Sequence, residues 1–294
     1  DELGIENIDL IIVNLYPFED TVSQIDVTEE DAIENIDIGG PSMIRASAKN
    51  FYSKTIITVP DDYEMLISEL DNNNGSVGYV MRKELALKAF KKTALYDVNI
   101  QKHFQRTVEK DAIPENLVLG LSKKNDLRYG ENPHQKAAVY SFGNINDKSL
   151  VGANIFQGKE LSYNNFLDTN TAMRCSQEFN DPCCVIVKHV NPCGVAISDN
   201  IINAYEKAFE TDPESAFGGV IAVNRTVDEN FATKLISNQF VEVIIAPDYD
   251  AESLEVFKQK NNIRVISVKG YKKNRIYFQI QSIDGGFLVQ EDDD

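Results

Sequence analysis

The sequence predicts an α/β protein of two domains. Its 294 residues exceed the usual size of one compact domain. Along the chain, short apolar runs bounded by turn residues alternate with longer segments in which apolar residues recur at helical spacing. Strands that alternate with helices in this way favour parallel sheets covered by helices. We therefore expect two α/β domains, at residues 1–113 and 114–294.

The first domain begins with an apolar run. Residues 10–15 are apolar except for one asparagine, as in a strand buried on both faces, and Pro17 ends the run. Thr28 can cap a helix because acidic residues crowd the turn that follows it. A Gly-Gly-Pro turn at 39–41 opens the next helix. The expected strands are 10–15 and 55–59, and the expected helices are 29–35, 42–50, 62–70 and 81–104.

The second domain follows a charged segment, 109–116, that contains Pro114 and marks the predicted boundary. A long polar loop is expected between its first two strands, and helices then alternate with apolar runs. The expected strands are 117–121, 137–142, 183–187, 220–223, 241–246 and 263–268, and the expected helices are 168–179, 201–210, 228–237 and 252–260.

Composition narrows the classes of function. The formal charge of -17 opposes nucleic-acid binding, because such a surface repels phosphate backbones. No apolar run approaches the roughly 20 residues of a membrane span, and no signal peptide precedes the first strand, so we expect a cytoplasmic protein. The chain starts without methionine inside a strand pattern and ends in an acidic tail. We expect a piece of a longer protein.

Three residues of the first domain suggest a site for an anionic ligand. Tyr16 follows a strand, Asp37 precedes the double glycine, and Lys49 ends the short helix. If they converge at one sheet edge, the helix start offers N–H groups to an anion, and the lysine can transfer a proton. An ordinary helix turn with a solvated lysine is the alternative.

In the second domain the sharpest signal is Lys188-His189, followed by Asn-Pro-Cys-Gly at 191–194. Strand side chains alternate, so a turn at 191–194 is needed to bring both to one site. A histidine near neutral pH suits a general base, and an adjacent ammonium stabilises negative charge. A histidine that only caps a strand end is the alternative.

Other polar and glycine-rich segments suit a nucleotide, although solvated turns would share the same pattern. An arginine can bind phosphate bidentately, a tyrosine can stack on a base, and an asparagine can read an amide edge. A glycine before a strand lets a ligand approach the backbone. The residues concerned are Arg128, Tyr129, His134, Asn165 and Gly219.

No metal site is predicted from the sequence. The four cysteines, Cys175, Cys183, Cys184 and Cys193, crowd one short stretch, which is poor spacing for disulfides and suggests reduced thiols. Together with His189 they could bind zinc in principle, but their spacing matches no known zinc site. The chain also has no Walker motif and no GxGxxG after a strand.

The order of these motifs resembles one family, the bifunctional purine biosynthesis proteins. Two segments, VNLYPFEDTV and IDIGGPSMIRASAKN, resemble its cyclohydrolase domain. Four more resemble its transformylase domain: LRYGENPHQKAA, GKELSYNNFLDTNTA, VIVKHVNPCGVA and DPESAFGGVIAVNR. The resemblance implies a Rossmann-like domain of the methylglyoxal-synthase type, followed by a cytidine-deaminase-like α/β region without zinc. It also implies two reactions, in which AICAR is formylated by 10-formyltetrahydrofolate and the product FAICAR closes to IMP.

The same resemblance implies roles for individual residues. His189 would accept a proton from the AICAR amine and Lys188 would stabilise the transition state. The AICAR contacts would be Arg128, Tyr129, His134, Asn165 and Gly219. In the cyclohydrolase, Lys49 would transfer a proton, with Tyr16 and Asp37 also catalytic, and the nucleotide would be lined by Val13, Asn14, Ile38 and Gly39.

The chain also departs from the family pattern. The family's cyclohydrolase has a lysine-threonine loop in an earlier part of its domain, and its transformylase has an asparagine motif in a second half; both are missing from this chain. We therefore expect that neither site is complete and that this chain alone is inactive. The family implies a homodimer, with small nucleotide and folate substrates. An inactive nucleotide-binding or dimerisation fragment and a metal-dependent nucleotide deaminase are the alternatives.

Overall fold

The chain forms two units with a mixed α/β fold, the class that the alternation predicts. The computed structural model describes residues 7–24, 26–108, 113–142, 148–269 and 278–292. One unit comprises Asp1–Gly120 with Ile280–Glu291, and the other Leu121–Gln279 with Asp292–Asp294. Part of the predicted boundary, residues 109–112, lies outside the described residues, and the division into two functional domains stays a prediction.

The first unit packs helices against a two-stranded parallel sheet. Its strands pair with Leu10 opposite Thr55. Thr28 forms a capping box with Asp31, which confirms the predicted helix start. The elements are β1 (Leu10–Ile12), α1 (Phe18–Val22), α2 (Glu29–Glu34), α3 (Gly39–Lys49), β2 (Thr55–Ile57), α4 (Tyr63–Asn72) and α5 (Tyr79–Val108).

The core of this unit lies between α3, α5 and β2. Ile44 and Ala48 of α3 pack with Ile56 of β2 and with two alanines of α5. The predicted long helix is therefore confirmed, since its alanines face the core. The prediction of a doubly buried strand at 10–15 is wrong, because β1 has three residues and half of the Ile12 side chain is exposed. Within the described residues, β1 pairs with β2 alone.

The second unit is built on a six-stranded mixed sheet of order β5-β10-β9-β8-β6-β7. Strands β8, β9 and β10 are parallel, while β6 runs antiparallel to β8 and to β7. The elements are β3 (Leu121–Leu127), β4 (Ala137–Phe142), β5 (Asn154–Gln157), α6 (Tyr163–Gln177), β6 (Cys183–Lys188), β7 (Asn191–Ile197), α7 (Ile201–Thr211), α8 (Pro213–Ala216), β8 (Gly219–Val223), α9 (Glu229–Asn238), β9 (Val241–Ala246), α10 (Ala251–Phe257) and β10 (Arg264–Ser267). Two further strands, β11 (Phe278–Ile283) and β12 (Gly286–Glu291), pair with each other, and nearly all of their residues belong to the first unit.

Helices cover both faces of the large sheet. Ile186 of β6 packs in a cluster with Tyr205 of α7 and Phe231 of α9. Its neighbour Val187 points to the opposite face and packs with Met173 of α6. This coverage explains why the strands of the sheet centre are continuous apolar runs in the sequence.

Three local predictions in this unit are wrong. The expected strand at 117–121 is absent, because β3 begins at Leu121 and gains its ladder from β4. Helix α6 begins five residues earlier than the expected residue 168, since Ser162 and Asn165 form a capping box there. The expected turn at 191–194 is part of β7, where Pro192 is tolerated because β7 is an edge strand.

In the part of the chain that the structure describes, no helix is both long and apolar enough to cross a membrane.

Candidate functional site

Three residues of the first predicted site, Asp37, Ile38 and Gly39, lie at the start of α3. The Asp37 carboxylate accepts the Gly40 N–H at 2.7 Å, and the Asp37 backbone N–H donates to the Tyr96 hydroxyl at 2.7 Å. Burial raises the pKa of Tyr96. Ile38 and Gly39 are exposed beside Asp37. The Asp37 carboxylate thus caps the start of α3, where Pro41 contributes no N–H and the backbone at Ile38 and Gly39 remains exposed.

Residues 13–16 follow the end of β1. Val13 extends the ladder, because its N–H donates to the Ile57 carbonyl at 3.0 Å. The Asn14 amide donates to the Tyr63 hydroxyl at 3.4 Å, and Tyr16 is exposed. These residues lie at the carboxyl end of β1, where open α/β sheets bind ligands.

Lys49 lies at the other end of α3 from Asp37. The helix has 11 residues, so at about 1.5 Å per residue the two ends are roughly 15 Å apart. Lys49 is exposed and precedes β2 by a short loop. The structure therefore does not bring Lys49 and Asp37 together within this chain, and the expected convergence at one sheet edge is not found.

The second group is centred on the hairpin between β6 and β7. Lys188 is the last residue of β6 and pairs with Asn191, so His189 and Val190 form a two-residue turn. Both have positive φ, at 54° and 63°. This is the pattern of a type I′ turn, which normally takes asparagine and glycine. A branched residue such as Val190 in this region costs about 1–3 kcal/mol, so surrounding contacts must hold the turn.

Three hydrogen bonds hold this turn. The Val190 N–H donates to the Asp168 carboxylate at 2.7 Å. The Asn191 amide donates to the His189 carbonyl at 2.9 Å, and the Lys188 ammonium donates to the Phe217 carbonyl at 2.8 Å. His189 itself is exposed. Lys188 and His189 thus lie at one end of the sheet, and the turn that breaks the strand alternation is His189-Val190. That both side chains serve one site stays a prediction.

The start of α6 connects the other predicted residues to this hairpin. The Asn165 amide donates to the Glu242 carboxylate at 2.9 Å, and Asn165 is buried. The neighbouring Asn164 amide donates to the Glu131 carbonyl at 3.5 Å. Through Glu131, the loop that carries Arg128, Tyr129 and His134 is held against α6.

The loop from Arg128 to His134 is ordered by its own hydrogen bonds. The Gly130 N–H donates to the Gln135 carbonyl at 2.8 Å, and the Gln135 side chain accepts the Asn132 N–H at 2.7 Å. The Arg128 guanidinium lies 5.7 Å from the centroid of the Tyr129 ring. Arg128 and His134 are exposed, so both are available to an anionic ligand.

Gly219 is the first residue of β8 rather than part of a turn. The turn is formed by Gly218, which has a φ of 73°. A Cβ on Gly219 would stand 3.2 Å from the Val187 carbonyl oxygen, so glycine allows β8 to approach the end of β6.

The cysteines do not form a metal cluster with His189. Cys184 packs on one face of the sheet and Cys183 on the other, so both cannot ligate one ion. Burial raises the pKa of Cys183 to about 12, which keeps this thiol protonated. Among the described residues no group of three or more potential metal ligands is found.

Two residues beside this site were not predicted from the sequence. Asp168 lies three residues after Asn165 and therefore on the same face of α6. Glu242 is a charged residue within the apolar strand β9, and this departure from the strand pattern was a signal that could have identified it. Asp168 offered no such signal, because its partner is 22 residues away in sequence.

An open cavity of about 480 Å³ lies at the end of α9. It is lined by residues 236–240 and 259–263. Phe240 of this lining lies next to the start of β8, because its carbonyl accepts the Gly218 N–H at 2.8 Å. The predicted site residues lie outside this lining.

Comparison with known proteins gives one family match. A family model described as the AICARFT/IMPCHase bienzyme matches residues 47–294. A solved structure described as "Crystal structure of ForH" is 33% identical over 36% of this chain, with a TM-score of 0.32. The chain spans about half of that protein, since 55% of it is covered. Acinetobacter baumannii RibD, form 1, is 17% identical over 34% of this chain and 35% of its own, with a TM-score of 0.27.

Proposed function

The chain belongs to the AICARFT/IMPCHase bienzyme family, and on this premise we propose that it carries residues of both activities. The family is one of purine biosynthesis, with a formyl donor derived from folate. In the proposed reactions, a formyl group moves from 10-formyltetrahydrofolate to the 5-amino group of AICAR, and FAICAR then closes to IMP with loss of water. The two units would belong to the methylglyoxal-synthase and cytidine-deaminase types of fold, respectively.

For formyl transfer, we assign the proton acceptor to His189 and transition-state stabilisation to Lys188. The amine of AICAR is a weak nucleophile, and it must lose a proton as it attacks the formyl carbon. An imidazole that titrates near neutral pH can accept this proton, and an ammonium beside it can stabilise the developing oxyanion. AICAR would be held by Arg128, Tyr129, His134, Asn165 and Gly219.

The observation that carries this proposal is the strained hairpin turn at His189. Backbone strain at a polar, exposed residue persists only where other contacts enforce it, and such strain concentrates at active sites. Here the turn is held by Asp168 and Asn191, while the imidazole remains exposed. A histidine that merely capped a strand would not need this arrangement.

Formyl transfer is tested with variants of the two central residues. We expect His189→Ala to lower the rate of FAICAR formation by about 10²- to 10⁴-fold, the usual contribution of a general base. Lys188→Met should also slow the reaction. Lys234→Met is the matched control, since it removes a lysine whose partner is Glu206 on the surface of the same unit. Unchanged turnover in His189→Ala would reject the assignment.

For ring closure, we assign proton transfer to Lys49, with Tyr16 and Asp37 also catalytic. Val13, Asn14, Ile38 and Gly39 would line the nucleotide. The ordered start of α3 supports the Asp37 end, because Ile38 and Gly39 are exposed beside the fixed Asp37 carboxylate and leave the backbone there open to a ligand. The assignment of Lys49 depends on the family resemblance, since α3 separates it from Asp37.

Because of this separation, the two ends of α3 are tested one at a time. We expect Lys49→Ala to block FAICAR closure and to leave formyl transfer intact. Asp37→Asn should also impair closure. If only Asp37→Asn does so, the site is restricted to the start of α3. If Lys49→Ala abolishes both reactions, the two sites are not independent.

We also propose that the protein is a cytoplasmic homodimer with nucleotide and folate substrates. Calorimetric titration of this chain with AICAR, paired with a turnover assay that also supplies 10-formyltetrahydrofolate, separates a catalytic chain from a binding fragment, since the fragment would bind without turnover.

A further inference from the structure

The turn that carries His189 needs support from outside its own hairpin. His189 and Val190 both have positive φ. Histidine is one of the residues enriched in this region, but a β-branched residue such as Val190 is strained there. Asn191 contributes one contact within the hairpin, to the His189 carbonyl. The Val190 N–H instead points to a carboxylate on a different element, Asp168 of α6.

The bond from Val190 to Asp168 is short and involves a carboxylate. At 2.7 Å it is in the range of charge-assisted hydrogen bonds, which are the strong ones. The two residues are 22 positions apart in sequence, so the contact forms only when α6 packs against the sheet. Asp168 therefore fixes the turn relative to α6, which the hairpin by itself cannot do.

Helix α6, which carries Asp168, is itself held in place by several contacts. Its start is fixed by the capping box of Ser162 and Asn165, and Thr169 beside Asp168 is fully buried. Asn165, one turn before Asp168, is bonded to Glu242 of β9. The same helix face thus holds a proposed AICAR contact and the turn of the proposed base.

We propose that Asp168 is a positioning residue for formyl transfer: its carboxylate holds the Val190 N–H and so fixes the backbone conformation that orients the His189 imidazole. The proposal rests on the proposed role of His189. Asp168 acts through the turn and does not itself contact the substrate. Its loss should therefore slow the chemical step more than it weakens AICAR binding.

The first test observes His189 directly and does not depend on activity. The chain has three histidines, so histidine-labelled protein gives few imidazole signals in an NMR spectrum, and His189→Ala assigns one of them. We expect Asp168→Ala to shift and broaden the His189 signal and to leave the His103 signal unchanged. Asp168→Asn should retain most of the native signal, because the amide oxygen can still accept the Val190 N–H.

A matched control loses an equivalent bond elsewhere in the same unit. The Asp228 carboxylate accepts the Phe231 N–H at 2.8 Å at the start of α9. Asp228→Ala should leave the His189 signal and turnover as they are. If Asp168→Ala does not fold, Asp168→Ser also shortens the side chain enough to end the contact, and it gives the same comparison.

The second test measures kinetics. We expect Asp168→Ala to lower kcat for formyl transfer by about 10- to 100-fold, a typical effect of misplacing a catalytic group. KM for AICAR should change by less than about threefold, since binding is preserved. Asp168→Asn should restore most of kcat. In a protein that already carries Val190→Gly, Asp168→Ala should lower kcat by a smaller factor, because glycine adopts a positive φ without strain.

The two proposals fail in different ways. If His189→Ala is inactive but Asp168→Ala keeps the native His189 signal and native kcat, the positioning role is wrong. If His189→Ala remains active while Asp168→Ala disturbs the His189 signal, the turn is held as described but the proposed catalytic role is wrong. The positioning role would also be overturned if Asp168→Ala and Asp168→Asn lose the same amount of activity and if KM rises as much as kcat falls.

Discussion

Two adjacent glycines lie at the start of α3, and adding one methyl group to each should have different effects on stability. A Cβ on Gly39 would meet nothing within 4 Å. A Cβ on Gly40 would stand 2.8 Å from the Asp37 Cγ and closer still to its carboxylate oxygen. Gly40→Ala must therefore displace the carboxylate and break its 2.7 Å bond to the Gly40 N–H, whereas Gly39→Ala displaces nothing.

The size of the difference follows from these contacts. In a helix, alanine is more favourable than glycine by up to about 1 kcal/mol, and both variants share this gain. The bond from Asp37 resembles an N-cap interaction, whose loss costs about 1–2 kcal/mol. We expect Gly39→Ala to be neutral or stabilising, and Gly40→Ala to be less stable than Gly39→Ala by about 1–2 kcal/mol.

Differential scanning calorimetry measures this difference without reference to activity. For a domain of this size, about 1–2 kcal/mol corresponds to roughly 3–6 °C in Tm. Because Asp37 is also a proposed catalytic residue, Gly40→Ala should slow FAICAR closure as well. A Gly40→Ala protein as stable as the Gly39→Ala protein would refute the claim that this glycine exists to admit the carboxylate.

Further predictions concern the core of the second unit. Gly194→Ala should destabilise the protein by about 1–3 kcal/mol in urea unfolding, because its Cβ would collide with the Ala208 carbonyl. Gly286→Ala, at a glycine of the first unit with open space around it, serves as the control and should change stability by less than about 0.5 kcal/mol. Burial raises the pKa of Cys183 and of Tyr205 to about 12, from 9.0 and 10.0. The stabilisation from these two protonated side chains is fully present below their pKa values in the unfolded chain, and it is lost as pH rises toward 12. The free energy of unfolding should therefore fall between about pH 9 and pH 12. Tyr205→Phe should make this decline shallower above pH 10, and an equally steep decline would contradict the assignment. At pH 8, iodoacetamide should label Cys183 only after unfolding.

Much of the local structure could be predicted because it depends on neighbouring residues. The capping box at Thr28 needs only Asp31 three residues later, and the helix Tyr79–Val108 follows from the spacing of its alanines. The separation of Lys49 from Asp37 could also have been read from the sequence. Both flank one predicted helix, and a helix of that length holds its ends apart.

The position of the hairpin turn could not be predicted from neighbouring residues. His-Val is not a dipeptide that favours two positive φ values, whereas Asn-Pro-Cys-Gly contains three turn-forming residues. These preferences predict a turn at 191–194, although the pairing of β6 with β7 puts it at His189 and Val190. The pairing of the two strands outweighed the turn preference, because it continues to Lys188 opposite Asn191 and leaves only two residues for the turn.

The sequence by itself determined the α/β class, most of the helices, the apolar strands of the large sheet and the family, since each depends on short patterns or on their order. The tertiary structure alone decided which residues meet. Strand order β5-β10-β9-β8-β6-β7 is set by packing on both faces, and it brings α6 beside the end of β6. Only then can Asp168 reach Val190, because residues far apart in sequence come into contact through the fold and leave no local pattern.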